Sequence, residues 1–281
     1  MKAKRDGGYA MLAAILGIAA FSYVSFEVIA ENRGVISEVQ AETERAKLRS
    51  ACDAGMALAV SGLASKNKKQ QWPIDGSKRT LKFDDVDLTI LVEDERGKIP
   101  LNGVNEDQVR ELFKAAGVTH PRLDTLVDSY EDWIDPDNDR RPNGAEAPQY
   151  LNAGYKPRNG GFHTVSELRM LNGMDDALYA QVAPSLTVFF GETGGFSEST
   201  AQILALEALS EIGPNSPEVI RRQQELAGLR PPQDVATPPY LVGRTLTVRV
   251  QAKRAGAQMT RSGILELTGN SDQPVWFRYL D

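Results

Sequence analysis

Hydrophobic and polar positions follow different periods in successive parts of this chain. From Tyr9 to Phe26 there are 18 residues without a charge. From Glu31 to about Ala64 the apolar positions Leu48, Cys52, Met56 (or Gly55), Ala59 and Leu63 recur at steps of three and four. Glu42, Glu44, Arg45, Lys47, Arg49 and Asp53 fill the other faces. One narrow apolar stripe predicts an amphipathic helix that needs a surface to cover. No proline or glycine cluster separates the two stretches, so they read as one long helix, apolar first and amphipathic later. The polar run "SKNKKQQWPIDG", with Pro73 and Asp75-Gly76, ends it. Alternation then takes over. Leu81, Phe83, Val86, Leu88, Ile90 and Val92 fall largely on one side and predict a strand pair turning near Asp84-Asp85. Near the C-terminus "RTLTVRVQAKRAG", "AQMTRSGILELTG" and "QPVWFRYLD" predict three further strands in an antiparallel meander. Between the β regions, from Asn102 to Pro239, the helical period returns. "NEDQVRELFKAAG", "HPRLDTLVDSYEDWID", "TVSELRMLNGM", "DDALYAQVAPSL", "STAQILALEALSEIG" and "SPEVIRRQQELAGL" carry it, several opening on Asn, Thr or Ser and closing on Gly. The order predicts an α+β molecule: a long helix packed on an antiparallel sheet, with an α-helical block inserted between strands. "RPPQDVATPPY", from Arg230 to Tyr240, reads as the linker out of that block, since its prolines forbid helix and central strand alike.

Charge changes the picture at the N-terminus. The uncharged run would reach roughly 27 Å as a helix, close to the hydrocarbon thickness of a bilayer. Lys2, Lys4 and Arg5 precede it, which orients such a segment with its N-terminus in the cytoplasm. A secretory signal would have a shorter apolar core and a small-residue cleavage site. A retained membrane helix over residues 9–30 is therefore expected. Overall the 281 residues carry a net charge of −6, against the basic face that nucleic acid requires. Cys52 is the only cysteine, so no intrachain disulfide can form, and a small core residue is the plainest account of it.

The densest chemistry lies in "DWIDPDNDRRPNGAE", Asp132 to Glu146. With Asp135 as position 1, carboxylates fall at 1, 3 and 5 (Asp135, Asp137, Asp139), Asn143 at 9 and Glu146 at 12. Those are the ligand positions of a calcium-binding helix–loop–helix. Hard oxygen donors at this density repel one another unless a cation sits among them. Arg140 occupies position 6, where an EF-hand has glycine, so the expectation is calcium without the EF-hand path. A solvated acidic turn, neutralised by Arg140 and Arg141, is the alternative. Zinc is disfavoured, because no cysteine is near and His120 and His163 are the only histidines.

These stretches together resemble a known family. A basic leader ending in Gly7-Gly8 before an apolar helix is similar to the processing site of type IV pilins and type II secretion pseudopilins. The resemblance implies a leader of residues 1–8, cleavage after Gly8 by a prepilin peptidase, and methylation of Tyr9. Most such proteins carry Glu at the fifth mature position; Ala13 stands there. "GKIPLNGVNEDQVRELF", "LVDSYEDWIDPDNDRRPNGAEAPQY", "YKPRNGGFHTVSELRMLNGM" and Ala13 together resemble the general secretion pathway protein K family, minor pseudopilins of the type II secretion system. The fold implied is a pseudopilin helix and first strands over 31–101, an inserted α-helical domain over 102–239, and C-terminal strands over 240–281. Also implied are a single-pass inner-membrane location with a periplasmic head, and a place at the pseudopilus tip. The partners implied are the minor pseudopilins I and J, with H as a further candidate, and the major pseudopilin. One or two calcium ions are implied too, with ligands from Asp135, Asp137, Asp139 and Glu146, and Asp132 and Asn143 beside them.

No enzymatic activity is expected, and two other readings compete. One is a minor pilin-like subunit of a type IV pilus or DNA-uptake system; the other is a membrane-anchored metal-dependent hydrolase. "GGFHTVSELRMLNGMDDALYAQV" also has the texture of a helix–hairpin–helix, but Asp175 and Asp176 beside its turn repel phosphate and favour a structural role.

Overall fold

A computed structural model describes residues 7–65, 67, 70–191, 195–210, 212–229, 241–270 and 272–280, excluding within the first helix the side chains of residues 7, 8, 10 and 28–36. The leader residues 1–6 and the linker residues 230–240 lie outside the described residues.

Helix α1 runs from Gly7 to Leu63 without a break. Its first part makes no use of the core: Tyr9, Met11, Leu12, Ile15, Ile18, Phe21 and Phe26 are all exposed. Among the described residues no helix is long and apolar enough to cross a membrane, so the fold does not show the span expected for 9–30. The last four turns behave as their stripe predicts. Leu48, Cys52, Met56, Ala59 and Leu63 are buried, together with Ala51. They pack with Ile90, Val92, Val248, Val250 and Leu265 of the sheet into one apolar core. Gly55 permits the close approach, since a Cβ there would meet Val250 Cγ1 at 2.6 Å. Cys52 is fully buried in this core, and burial pushes its thiol up.

Strands β1 (Arg79–Phe83) and β2 (Val86–Asp94) form the first hairpin, turning at Asp84-Asp85 as expected. Val86, Leu88, Ile90 and Val92 are buried, while Phe83 is exposed. Strands β5 (Thr245–Arg254), β6 (Ala257–Leu267) and β7 (Val275–Leu280) make the C-terminal meander. Ala255 and Gly256 join β5 to β6 with both residues at positive φ, as a tight hairpin of matching twist requires. The antiparallel sheet has the order β1-β2-β5-β6-β7. Strands β2 and β5 are thus neighbours, from Asp87 opposite Lys253 to Asp94 opposite Leu246, although the whole helical block lies between them in sequence.

That block contains α2 (Glu106–Ala115), α3 (Arg122–Ile134), α4 (Ala147–Tyr150), α5 (Asp176–Val182), α6 (Ile203–Leu209) and α7 (Pro217–Leu226). A short parallel pair, β3 (Ile99–Pro100) with β4 (Leu186–Thr187), ties its beginning to its middle. Leu101, Phe113, Leu126, Tyr130, Trp133 and Phe162 belong to a second apolar core that shares no residue with the first. Two elements are less regular than their period predicts. "TVSELRM" winds as a 3-10 turn over Val165–Met170, and α6 is confined to seven residues. Burial of a few side chains, Leu168 in the first and Ala205, Leu206 and Ala208 in α6, satisfies such short segments without a full helical stripe.

Candidate metal centre

The acidic loop joins α3 to α4, and α3 supplies its frame. Asp128 and Asp132 are one turn apart on the buried face of α3. Asp128 Oδ2 accepts hydrogen bonds from the amide and the side-chain nitrogen of Asn143, both at 2.9 Å. Asp132 accepts the Arg141 amide at 3.1 and 3.3 Å. These bonds fold the loop back across the helix. Gly144 lies against Asp132, where a Cβ would fall 2.0 Å from Oδ2. Arg141 then anchors the loop to α2 and α3, with Nη1 3.0 Å from Glu106 and Nη2 3.6 Å from Glu131.

Glu146 is the anomaly. It is 2% exposed and forms a capping box with Gln149 at the start of α4, yet neither buried carboxylate oxygen makes a hydrogen bond of ordinary geometry. Asp135 Oδ1 is in the same condition. Burial pushes the Glu146 carboxyl up, the charges of Asp132 and Asp135 push it further, and the Ala147 amide offsets only part before Asp137 adds more. Asp135 is raised by burial, then by Asp137 and Asp132. Burial also raises Asp132, against the amides of Arg141 and Ala145. Carboxylates do not stay ionised in such surroundings without compensation.

The six residues expected as ligands therefore separate. Asp132, Asp135, Asp137 and Glu146 share one electronegative locus, with Asp137 Oδ1 also accepting the Asp139 amide at 2.8 Å. Asp139 is exposed and brings its backbone to that turn. Asn143 is exposed too, and its side chain is directed to Asp128. Spacing alone overlooked Asp128, although its position four residues before Asp132 on a helix was a usable signal. Among the described residues no three His, Cys, Asp or Glu side chains form a ready-made group for a metal ion. The donor chemistry nonetheless fits a hard cation: Asp135 Oδ1 and both Glu146 oxygens are carboxylate oxygens, as calcium prefers.

The hairpin-like stretch has another occupant at its turn. Arg122 of α3 donates to the Gly173 carbonyl at 2.9 Å and to Asp175 at 2.7 Å. The turn is a packing device of the helical block.

Residues 86–191, from β2 through the acidic loop to the segment after β4, match the family model described as type II secretion system, protein K. This stretch, from β2 to just beyond β4, is thus similar to that family. Its relatives include the type II secretion system protein K of Dickeya chrysanthemi, 35% identical over 79 residues, which are 28% of this chain and 22% of that one. The Klebsiella pneumoniae protein of the same name is 27% identical over 175 residues, or 56% and 52% of the two chains. That of Pectobacterium carotovorum is 23% identical over 245 residues, covering 74% and 72%. The chain thus matches about half the length, or less, of the first two relatives. The same fold occurs in the crystal structure of the GspK-GspI-GspJ complex from enterotoxigenic Escherichia coli. There the TM-score is 0.60 at 16% identity, over 87% of this chain and 98% of the other.

Proposed function

We propose that this protein is a minor pseudopilin of the type II secretion system, forming or capping the pseudopilus tip and serving secretion of folded proteins as a structural part. The observation that carries the reading is the architecture of a chain similar in part to protein K. A helix exposed along its first part packs its last turns on a sheet, and a helical domain is inserted between two adjacent strands of that sheet. A domain of that size beside the sheet suits an end position, where no further subunit has to stack above it.

The exposed apolar residues from Tyr9 to Phe26 support a membrane location for the start of α1 in the bacterial inner membrane, with the head in the periplasm. Cleavage after Gly8 and methylation of Tyr9 by a prepilin peptidase would free that helix for assembly. Ala13 in place of an acid fits a subunit whose helix has no amine above it to neutralise a buried charge. The related GspK is found with GspI and GspJ, and the corresponding minor pseudopilins are the proposed partners here, with the major pseudopilin below. Mass spectrometry of the membrane-extracted protein tests the processing step. A mature N-terminus at methylated Tyr9 is expected; an intact Met1 would remove the pseudopilin reading.

Calcium is the proposed ligand of the acidic locus, held by Asp135, Asp137 and Glu146 with Asp132 behind them. When bound, the cation would neutralise the buried carboxylates and add its binding free energy to the folded state. The side chains of Asp128 and Asp132, bonded to loop amides, hold the loop in place for it.

A further inference from the structure

We infer that the buried polar network at the neck of the insertion is a clasp that sets the orientation of the helical domain on the sheet. The neck is formed by the end of β2 and the start of β5, where the inserted block leaves and rejoins the sheet. Asp94 is the last residue of β2, and Arg244 immediately precedes β5. They are buried, and Arg244 Nη2 donates to Asp94 Oδ2 at 2.5 Å across a sequence separation of 150 residues.

Each of two consecutive carboxylates joins one partner from either side of the neck. Asp94 takes Arg244 from the sheet side and the Thr200 hydroxyl, at 3.0 Å, from the insertion. Glu95 takes the Thr247 hydroxyl of β5 at 2.6 Å, and the Thr187 hydroxyl of β4 in the insertion. Lys98, itself buried, lies 2.7 Å from Glu95 and 3.2 Å from Glu93. Arg222 of α7 makes a second tie. It donates to the Ala201 carbonyl at 2.8 Å and to the carbonyl of Asp75, ahead of β1, at 2.7 Å. The two large apolar cores share no residue, so the junction between them is not one continuous hydrophobic interior.

Hydrophobic contact is tolerant of sliding; a desolvated ion pair is not, because a displaced partner leaves a bare charge in the interior. A junction of this kind contributes little net stability and a single geometry. That separates positioning from mere stabilisation in an experiment. Hydrogen exchange of the full chain in detergent micelles is compared between the native sequence and Asp94→Asn. The expected result is exchange about tenfold faster in peptides covering 94–103, 197–203 and 243–248, with unchanged protection of Leu126 in one core and of Val250 in the other. Because Asp94→Asn strands Arg244 and could fail to fold, the apolar double variant Asp94→Leu with Arg244→Leu is measured alongside. Spin labels on Lys82→Cys (β1) and Lys114→Cys (α2), in a Cys52→Ala background, report the angle between the domains. The native neck should give one narrow distance distribution, and the apolar neck a broad one at an unchanged melting temperature. Equal, narrow distributions would overturn the clasp. So would a uniform loss of protection across both cores, which is the signature of a contribution to global stability alone.

Discussion

Glu146 and Asp139 look alike by spacing, yet the fold treats them in opposite ways. Glu146 is buried with oxygens that make no hydrogen bond of ordinary geometry, and Asp139 faces solvent. Glu146→Ala should therefore abolish the calcium-dependent rise in melting temperature. Asp139→Asn should leave that rise unchanged and alter stability by no more than about 0.5 kcal/mol. Differential scanning fluorimetry with and without calcium checks both. The raised Glu146 carboxyl also sets a pH dependence. Its folded form holds a proton more tightly than the unfolded chain does, so its penalty is absent at low pH and grows as pH rises through the raised native value. In chelator at pH 7, Glu146→Gln should melt no lower than the native protein, and the difference should shrink as pH falls toward 4.5, the ordinary value of the group. Saturating calcium should reverse the order at neutral pH, because only the native carboxylate can then ligate.

Elements with long, clean periods were legible in the sequence, and those shaped by tertiary bonding were not. The stripe from Leu48 to Leu63 predicts its own buried face, because a helix meeting a sheet repeats one demand every three or four residues. The alternation from Val86 to Val92 is equally direct. "TVSELRM" read as helix because its apolar spacing is compatible with one, but a six-residue stretch takes the tighter winding that its neighbours impose. In the acidic loop the spacing marks the segment whose carboxylates the fold gathers, but not which side chain meets which. No local pattern announces that Asn143 turns to Asp128, a contact set by where α3 lies. The neck was invisible for the same reason, since Asp94 and Arg244 meet only when β2 and β5 pair. One element prediction follows from the approach of α1 to the sheet. Gly55→Ala places a methyl 2.6 Å from Val250 Cγ1 and should destabilise the head by about 1–3 kcal/mol, read by chemical denaturation. The outward-facing Ser50→Ala, five residues earlier, serves as the control and should be close to neutral.

At the scale of the whole molecule, three parts have separate physical tasks. The first part of α1 presents apolar side chains outward, the sheet anchors the last turns of that helix, and the inserted block carries the acidic locus and is joined through a polar neck. Loss of calcium should act on the third part first. Chelator should lower protection in α3, α4 and the loop between them in hydrogen exchange, while β5 and β6 keep theirs. The central claim, that this chain belongs in a minor pseudopilin assembly, is tested most directly by co-purification. The full-length protein, tagged at its C-terminus and extracted in mild detergent from cells carrying the whole secretion operon, should bring down the minor pseudopilins I and J in fixed ratio. Recovery of the folded, processed protein with neither of them would contradict the account.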